Sequence, residues 1–447
     1  PAVTHRLSVR HLFAMVPVVG VVVASARAIS DNSFLWHVRA GTVQLDAGQV
    51  LRSDPFSFTA QGESWRTQSW IADLLYGTLE RWTGDLSWVW PLVALTMTMT
   101  LVMVGLAVYR EAGNPLAVAM VLFFTAWLVL RTLVPRPVVF SHLLLAALVV
   151  VLAQRRLRWV IPLLLWVWAG LHGSFVIGLG LIVLEALRSG RRELWGLLGL
   201  SAVSVSLTAH GLALWGVLGE FAASRGALDL IQEWAPPDLT DLSAAPYALF
   251  IGALLFAAAR SRISPRDLIV VLPFLLFGLT SYRALIPATL VLAPWVARAI
   301  EIPTAPRRIE SRLLNGAIAA LVVVTAVWLG WERAESYPDE ELFPVSAIAA
   351  LGPGPLFHGD AVGGYLIYEA WPDRLVYTDD RAELYGEERF EEFVDARAGR
   401  PVWREVFDRH GIDQALLSAD STGLQEVLSA SGWSERYRDP EFVVLSR

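Results

Sequence analysis

The sequence predicts a mainly α-helical protein, a polytopic transmembrane helix bundle of about 11 spans, with a small α/β domain at its C-terminal end. Of the 447 residues, 55% are hydrophobic and only 17% are charged, and the mean hydropathy is +0.49. Soluble domains are usually about one quarter charged, so this composition indicates that lipid surrounds much of the chain. Long uncharged runs fill residues 1–331, whereas residues 332–447 have the composition of an acidic soluble domain.

Apolar segments of about twenty residues with few charges are typical of membrane-spanning helices. The candidates lie near residues 11–28, 86–109, 115–133, 138–154, 158–171, 175–187, 194–210, 245–260, 267–281, 284–300 and 312–331. The first segment follows Arg6 and Arg10 and therefore also has features of a signal peptide. The ten further spans favour an uncleaved first helix.

The arginines predict the orientation, because basic residues are retained on the cytoplasmic side. With the N-terminus inside, every predicted inner segment is basic, and the arginines concerned are Arg6, Arg10, Arg110, Arg155, Arg156, Arg158, Arg188, Arg191, Arg192, Arg260, Arg262, Arg266, Arg298, Arg307, Arg308 and Arg312. An odd number of spans places the loops 29–85 and 211–244 and the domain 332–447 outside. The sequence therefore predicts a multi-pass protein of the plasma (inner) membrane with a cytoplasmic N-terminus.

Two outer loops of the transmembrane domain 1–331 are too long to be simple turns. The loop 29–85 contains a predicted surface helix at 65–81, with Trp70 on its apolar face. The second is the loop 211–244. Loops of this length are usually functional or disordered, and the many aromatic residues argue against disorder.

The tail alternates short strands and helices, which predicts one extracytoplasmic α/β domain at 332–447. The expected strands are 355–358, 365–368, 375–378, 415–417 and 442–445. The expected helices are 383–395, 402–410 and 422–431.

The first outer loop carries the densest set of polar residues. Asp31 stands where the first helix should leave the membrane, and His37 and Asp54 follow in the same loop. A carboxylate at Asp31 can act as a general base or bind a divalent cation on a phosphate. The alternative is that Asp31 caps the next helix and that His37 forms a hydrogen bond within the loop, since a spacing of six does not align two residues on one helical face.

Further ionisable residues lie at predicted outer helix ends. Arg136 follows the third predicted span, His172 interrupts an apolar run, and Arg283 opens the tenth span. Ionisable groups at membrane depth are costly and often functional, although arginine also extends to the interface for purely structural reasons. Acid, imidazole and guanidinium groups on one side would suit a phosphate-bearing lipid. The residues predicted on this side are Asp31, His37, Asp54, Arg136, His172, His210 and Arg283.

The sequence also excludes several classes of function. It contains no cysteine, so it has no disulfide and no thiolate metal site. It contains no Walker A, G-x-G-x-x-G, H-E-x-x-H or G-x-S-x-G motif. The net charge of −6 gives no reason to expect a nucleic-acid partner.

One set of motifs extends along most of the chain. It consists of Asp31…Trp36-His37…Gly41, Asp54-Pro55-Phe56-Ser57, Trp70, Arg136-Pro137, His172-Gly173, Arg283, Gly363-Gly364-Tyr365 and Asp380-Arg381. With these motifs the chain resembles bacterial multispanning membrane proteins related to the GT-C glycosyltransferases. Those enzymes use polyprenyl-phosphate sugars and place an acidic residue in the first outer loop.

The resemblance implies an active site around Asp31 and His37. Asp31 would remove a proton from an acceptor hydroxyl, or hold a divalent cation (Mg²⁺, Mn²⁺ or Ca²⁺) on the carrier phosphate. Relatives often have a second acid shortly before the Trp-His pair, and here that position is Ser33, so Asp31 would act alone or with Asp54. The substrate-binding residues that the resemblance implies are Asp54, Trp70, Arg136, His172 and Arg283.

The sequence therefore predicts a membrane glycosyltransferase that moves a sugar from a polyprenyl-phosphate carrier in the bilayer to an extracytoplasmic acceptor. The first alternative is a non-catalytic subunit of the same fold, which binds the lipid carrier or assists assembly. The second alternative is a transporter, which the large outer domain and the lack of a clear inverted repeat disfavour.

Overall fold

The computed structural model describes residues 8–130, 133–216, 219, 234–302, 310–334 and 338–447. It divides into two compact units. The first contains the described residues up to Arg27, Ser87–Gly211 and the described part of 229–335, and the second contains Ala28–Leu86 and the described parts of 212–228 and 336–447. Nearly half of the expected outer loop 211–244 lies outside the described residues, as do Arg6, Arg307 and Arg308.

Helices dominate both units. In chain order the described α-helices are α1 (Val9–Ala24), α2 (Asn32–Ala47), α3 (Trp70–Thr83), α4 (Val89–Ala112), α5 (Pro115–Val129), α6 (Val138–Leu152), α7 (Ile161–Leu171), α8 (Phe175–Ser189), α9 (Arg192–Val205), α10 (Ala245–Ala259), α11 (Leu268–Gly278), α12 (Tyr282–Ala297), α13 (Arg312–Arg333), α14 (Asp360–Ala370), α15 (Ala382–Arg397), α16 (Val402–His410) and α17 (Thr422–Ala430). The strands are β1 (Leu356–His358), β2 (Gln414–Ser418), β3 (Ser434–Arg438) and β4 (Phe442–Ser446).

Each of the eleven predicted membrane segments coincides with a helix of the first unit, either α1 or one of α4 to α13. Among the described residues, α4 and α13 have both the length and the hydropathy needed to cross a membrane. The helices α1, α5, α6, α10, α11 and α12 are apolar but only 10–17 residues long. The helical segments are therefore confirmed, whereas the number that cross a bilayer stays a prediction.

The helix α13 exposes a row of large apolar side chains. Leu313, Leu321 and Trp328 are 87%, 65% and 59% exposed, and only 17% of its most apolar stretch is buried. Soluble monomers rarely expose a large contiguous apolar surface. The surface of α13 is therefore of the kind that lipid covers.

The helix ends of the first unit form two clusters. At one end, Trp168 near the end of α7 donates from Nε1 to Ser141 at the start of α6 over 3.0 Å. At the other end, Asp267 accepts hydrogen bonds from Arg188 and from Arg298, each over 3.0 Å. Because both arginines belong to predicted inner loops, these loops meet at one end of the bundle, as alternating spans require.

In the second unit, α2 and α3 cross at two glycines. A Cβ atom on Gly41 would lie 1.8 Å from the carbonyl oxygen of Asp73, and one on Gly77 would lie 2.5 Å from the backbone of Gly41. No side chain fits at either position. The close crossing sets the spacing between the helices that carry His37 and Asp73.

The C-terminal part contains a four-stranded sheet of order β1-β2-β4-β3. The strands β1 and β2 are parallel, and β4 is antiparallel to both of its neighbours. Two expected strands are wrong, because residues 365–368 belong to α14 and residues 375–378 form no strand. Such short apolar runs have no decisive period. In α14 the six consecutive residues 362–367 are all buried, so their burial follows no period either.

The first outer loop belongs to the second unit, although its sequence position grouped it with the helical domain 1–331. The N–H of Val376 donates to the carbonyl oxygen of Phe56 over 3.0 Å. Trp371 donates from Nε1 to the carbonyl oxygen of Pro55, 316 residues away, over 3.0 Å. Hydropathy along the chain reports only neighbouring residues, so it does not reveal such long-range pairing.

Candidate active site

Asp31 lies at the N-terminal end of α2 and caps this helix. Its Oδ1 accepts a hydrogen bond from the N–H of Phe34 over 2.8 Å, and the residue is 4% exposed. The bond satisfies one of the N–H groups that a helix leaves unpaired at its start, and the helix dipole favours a negative charge there. The capping interpretation of Asp31 is therefore confirmed, and any chemical role must coexist with it.

His37, further along α2, contacts Asp73 of α3. Its Nδ1 lies 2.5 Å from Oδ1 of Asp73, whose side chain is fully buried. The other carboxylate oxygen accepts hydrogen bonds from Thr67 Oγ1 (2.6 Å) and Gln44 Nε2 (3.3 Å). When the Nδ1–H group of His37 donates a hydrogen bond to Asp73, the neutral ring has no proton on Nε2, and this nitrogen can act as the base. A carboxylate orients a histidine base in this way.

Two aromatic side chains lie near this pair. The Trp36 ring stacks on the His37 ring with a centroid distance of 3.6 Å and an interplanar angle of 28°. Tyr76 is fully buried on α3. Its burial, followed by the charges of Asp73 and Asp31, raises the pKa of the Tyr76 hydroxyl well above its ordinary value. This hydroxyl therefore stays protonated in the presence of the two carboxylates.

Asp380 reaches the first turn of α2 from the segment before α15. Its Oδ2 accepts a hydrogen bond from the Ser33 hydroxyl, and its Oδ1 accepts one from Trp36 Nε1 over 2.9 Å. Asp380 is exposed, whereas its neighbours Asp379 and Arg381 are buried. An accessible carboxylate is therefore fixed against the start of α2.

The helix α14 also packs on the first turn of α2. Asn32 Oδ1 accepts a hydrogen bond from the N–H of Tyr365 over 3.2 Å. A Cβ atom on Gly364 would lie 2.1 Å from the carbonyl oxygen of Asn32, and one on Gly363 would lie 2.3 Å from that of Thr378. The Gly363-Gly364 motif thus permits close packing around the start of α2.

Asp54 is enclosed by an ion-pair network. Its Oδ1 accepts from Arg381 Nη1 over 2.8 Å, and its Oδ2 accepts from the N–H and hydroxyl of Ser57. Arg381 also binds both oxygens of Asp379 and lies 4.5 Å from the centroid of the Trp65 ring. Because the side chains of Asp54 and Arg381 are 0% exposed, this geometry does not support the expected substrate contact of Asp54.

Trp70 begins α3 and is half-buried. Its Nε1 is buried and has no hydrogen-bond partner within the described residues. An unpaired buried N–H group costs about 1–3 kcal/mol, so a ligand that supplied an acceptor here would relieve that cost. Trp70 stays a candidate for substrate binding.

Three candidates belong to the first unit. Arg136 precedes α6, His172 follows α7, and Arg283 lies in the first turn of α12. The Nδ1 of His172 accepts from the N–H of Ser174 over 3.1 Å. The guanidinium carbon of Arg283 lies 5.1 Å from the centroid of the Trp234 ring, a cation–π contact. The three residues lie at the same end of the bundle, where α6, α7 and α12 meet.

Three residues of this site were missed in the sequence, namely Asp73, Thr67 and Asp380. Asp73 lies 36 residues from His37, and Asp380 lies 347 residues from Ser33. No local spacing pairs residues so far apart. The acidic motif that contains Asp380 was a signal, but it did not indicate which helix the carboxylate contacts.

No protein-family model matches the chain, and no curated protein matches it. Among solved structures, the chain is similar to ArnT from Cupriavidus metallidurans bound to undecaprenyl phosphate, with 15% identity, 97% of each chain covered and a TM-score of 0.51. It is also similar to the apo state of the same protein, with a TM-score of 0.48. ArnT is a GT-C glycosyltransferase, so the resemblance expected from the sequence is confirmed at the level of the fold.

Proposed function

We propose that this protein is a membrane glycosyltransferase of the GT-C type, which transfers a hexosyl or pentosyl group from a polyprenyl-phosphate carrier to an extracytoplasmic acceptor. The observation that carries the proposal is the His37–Asp73 pair on the helix that Asp31 caps. The fold shared with ArnT supports it, since that protein is described with undecaprenyl phosphate bound. A histidine oriented by a buried carboxylate suits general-base catalysis.

In the proposed reaction, Asp31 or Nε2 of His37 removes the proton from an acceptor hydroxyl. The hydroxyl oxygen then bonds to the anomeric carbon of the sugar. The bond between that carbon and the phosphate oxygen breaks, and polyprenyl phosphate leaves with the electron pair. Asp73 accepts the Nδ1 proton of His37 in a hydrogen bond, which keeps Nε2 basic.

We assign the binding of a carrier phosphate to Arg136 and Arg283 of the first unit. A guanidinium group is always charged and can donate two parallel hydrogen bonds to a phosphate. His172 contributes a donor from Nε2, because its Nδ1 already accepts from Ser174.

A divalent cation (Mg²⁺, Mn²⁺ or Ca²⁺) held by Asp31 is another way to neutralise the phosphate. Within the described residues, no group of three or more His, Asp or Glu side chains is arranged to hold a metal ion. The cation would therefore take most of its oxygen ligands from phosphate and water. Loss of transfer with a chelator, and recovery with added Mg²⁺, would support the cation; unchanged transfer would support the arginines alone.

One observation favours a second function, namely carrier binding without catalysis. The carboxylate of Asp31 caps α2, which is a structural role that requires no chemistry. The chain would then be a carrier-binding or assembly subunit, with its arginines required and Asp31 replaceable by any capping residue.

We also propose a plasma (inner) membrane location with a cytoplasmic N-terminus and an extracytoplasmic C-terminal domain. The gathering of Arg188 and Arg298 at one end of the helices supports this topology. Reporter fusions after Arg158 and after Arg447 should report opposite sides of the membrane. The same side for both fusions would contradict it.

The function is tested with the full chain in lipid nanodiscs. The probes are undecaprenyl phosphate and the same carrier bearing radiolabelled glucose, galactose, mannose or arabinose, with cell-envelope extract as the acceptor. We expect the protein to bind the bare carrier. For at least one of the labelled sugars, we also expect release of the carrier from the sugar when the acceptor is present. Binding without release would support the carrier-binding function, and the absence of both would contradict both proposals.

A further inference from the structure

Asp380 is exposed to solvent and is also held in place. The Ser33 hydroxyl and Trp36 Nε1 each donate a hydrogen bond to its carboxylate. Its neighbours Asp379 and Arg381 form a buried ion pair with 0% exposed side chains, which fixes the backbone on either side. Ordering an exposed side chain on binding normally costs conformational entropy. Asp380 is therefore already oriented to accept hydrogen bonds from a ligand.

This carboxylate also lies next to the proposed base. Trp36 donates from its indole Nε1 to Asp380, and the face of the same ring stacks on His37. A single rigid side chain thus connects the exposed carboxylate to the histidine that Asp73 orients.

We propose that Asp380 binds hydroxyl groups of the sugar that is transferred, an inference that rests on the proposed glycosyltransferase function. Sugar rings carry hydroxyl donors on adjacent carbons. An ionised carboxylate has two oxygens that only accept, so it matches such a pair of donors. Hydrogen bonds from hydroxyls to a charged carboxylate are short and about twice as strong as neutral ones.

The test compares binding of the sugar-loaded and bare carriers by the full chain in nanodiscs. The probes are undecaprenyl phosphate and undecaprenyl phosphate that bears glucose, galactose, mannose or arabinose. We expect the parent to prefer at least one loaded carrier, and Asp380→Asn to reduce that preference by about tenfold or more, as for the loss of one hydrogen bond to a charged group. Affinity for the bare carrier should not change.

A reciprocal exchange keeps the test informative if Asp380→Asn folds poorly. Asp380→Ser should lose the sugar preference, and the double variant Ser33→Asp/Asp380→Ser should regain it, because the carboxylate returns to the same turn of α2. Asp373→Asn, an exposed acid of the same domain, is the matched control and should behave as the parent does.

The outcomes separate the two proposals. The deciding quantity is the ratio of the affinities for the loaded and the bare carrier. If this ratio is the same in Asp380→Asn as in the parent, the inference about Asp380 is overturned. A ratio of one in both proteins has the same consequence. If the parent does not bind the bare carrier at all, the proposed function is itself contradicted.

Discussion

Arg381 and Asp54 form an ion pair over 2.8 Å, although they are 327 residues apart in the chain and neither side chain is exposed. Burial alone would raise the pKa of Asp379, but the charge and hydrogen bonds of Arg381 together lower it. One buried guanidinium therefore holds the first outer loop and the C-terminal segment in a single unit.

Removal of this arginine should destabilise the protein. Arg381→Met leaves two buried carboxylates without their cationic partner, and the loss of one member of a buried ion pair typically costs about 3–5 kcal/mol. The melting temperature in detergent, followed by tryptophan fluorescence, should fall accordingly. Arg389→Met is the matched control, because Arg389 pairs with Glu63 at the surface, where a pair contributes about 0–1 kcal/mol. Equal effects of the two changes would contradict the role of Arg381.

The variant Asp31→Asn separates capping from chemistry. Asparagine caps a helix about as well as aspartate, so the melting temperature should stay close to that of the parent. Sugar transfer should fall by about 10²–10⁴-fold if Asp31 is the general base. Asp31→Ala should lose the cap as well, at a cost of about 1 kcal/mol. Parent-like transfer by Asp31→Asn would favour the non-catalytic function.

For the pair of His37 and Asp73 we expect an effect on sugar transfer but none on carrier binding. In Asp73→Asn the amide oxygen should face Thr67 and Gln44, which both donate at that position. The NH₂ group then faces Nδ1 of His37 and favours the wrong tautomer, so transfer should fall by about 10²-fold or more. Binding of bare undecaprenyl phosphate should be unchanged, since neither residue is assigned to the phosphate. Thr78→Val, at an exposed position of the same helix, is the control. Full transfer by Asp73→Asn would make the pair purely structural.

The arginines of the first unit are tested by exchange for lysine. Arg136→Lys and Arg283→Lys keep the charge but lose the planar fork, and each should weaken binding of undecaprenyl phosphate. The alanine variants should weaken it further, by roughly 1.5–3 kcal/mol for one hydrogen bond to a charged group. Arg260→Lys is the control, because Arg260 directly follows α10 and belongs to a predicted inner loop. Lysine variants that bind as tightly as the parent would show that the fork is not needed.

His358 should make the stability depend on pH. Burial lowers the pKa of His358 to about 4 from the ordinary value of 6.5. In the folded protein its Nε2 accepts from the N–H of Tyr377. Between these two values the unfolded chain binds the proton and the folded chain does not, so stability decreases as the pH falls.

The size of this effect follows from the two pKa values. Between pH 7 and pH 5, His358 should remove about 2 kcal/mol of stability. Melting temperatures of the parent and of His358→Gln, measured across this range, give the difference due to this residue. A variant whose pH dependence matches that of the parent would exclude His358 as the cause.

The helices of the first unit were predictable because each apolar run is one local element. The cap at Asp31 was also predictable, since an aspartate directly before a helix start is a common local signal. The error at residues 365–368 has the opposite cause. Four residues are too few to separate a strand from a buried helical face, and the adjacent Gly364 packs against Asn32, a contact that no local pattern reports.

The candidate site was only partly predictable. Asp31 and His37 could be named as candidates, because they lie in one loop and the family resemblance marks them. Asp73 and Asp380 were not, because their contacts with α2 depend on tertiary packing. The burial of Asp54 was equally inaccessible to the sequence, since the residue that covers it lies in the C-terminal segment.

The long separation between α2 and its partners also fixes the order of events during synthesis. Ser33 leaves the ribosome 347 residues before Asp380, a delay of roughly 17–70 s at about 5–20 residues per second. Until residue 380 has been made, the start of α2 lacks the carboxylate that Ser33 contacts. A chain terminated before this residue would therefore contain α2 without the contact that holds its first turn.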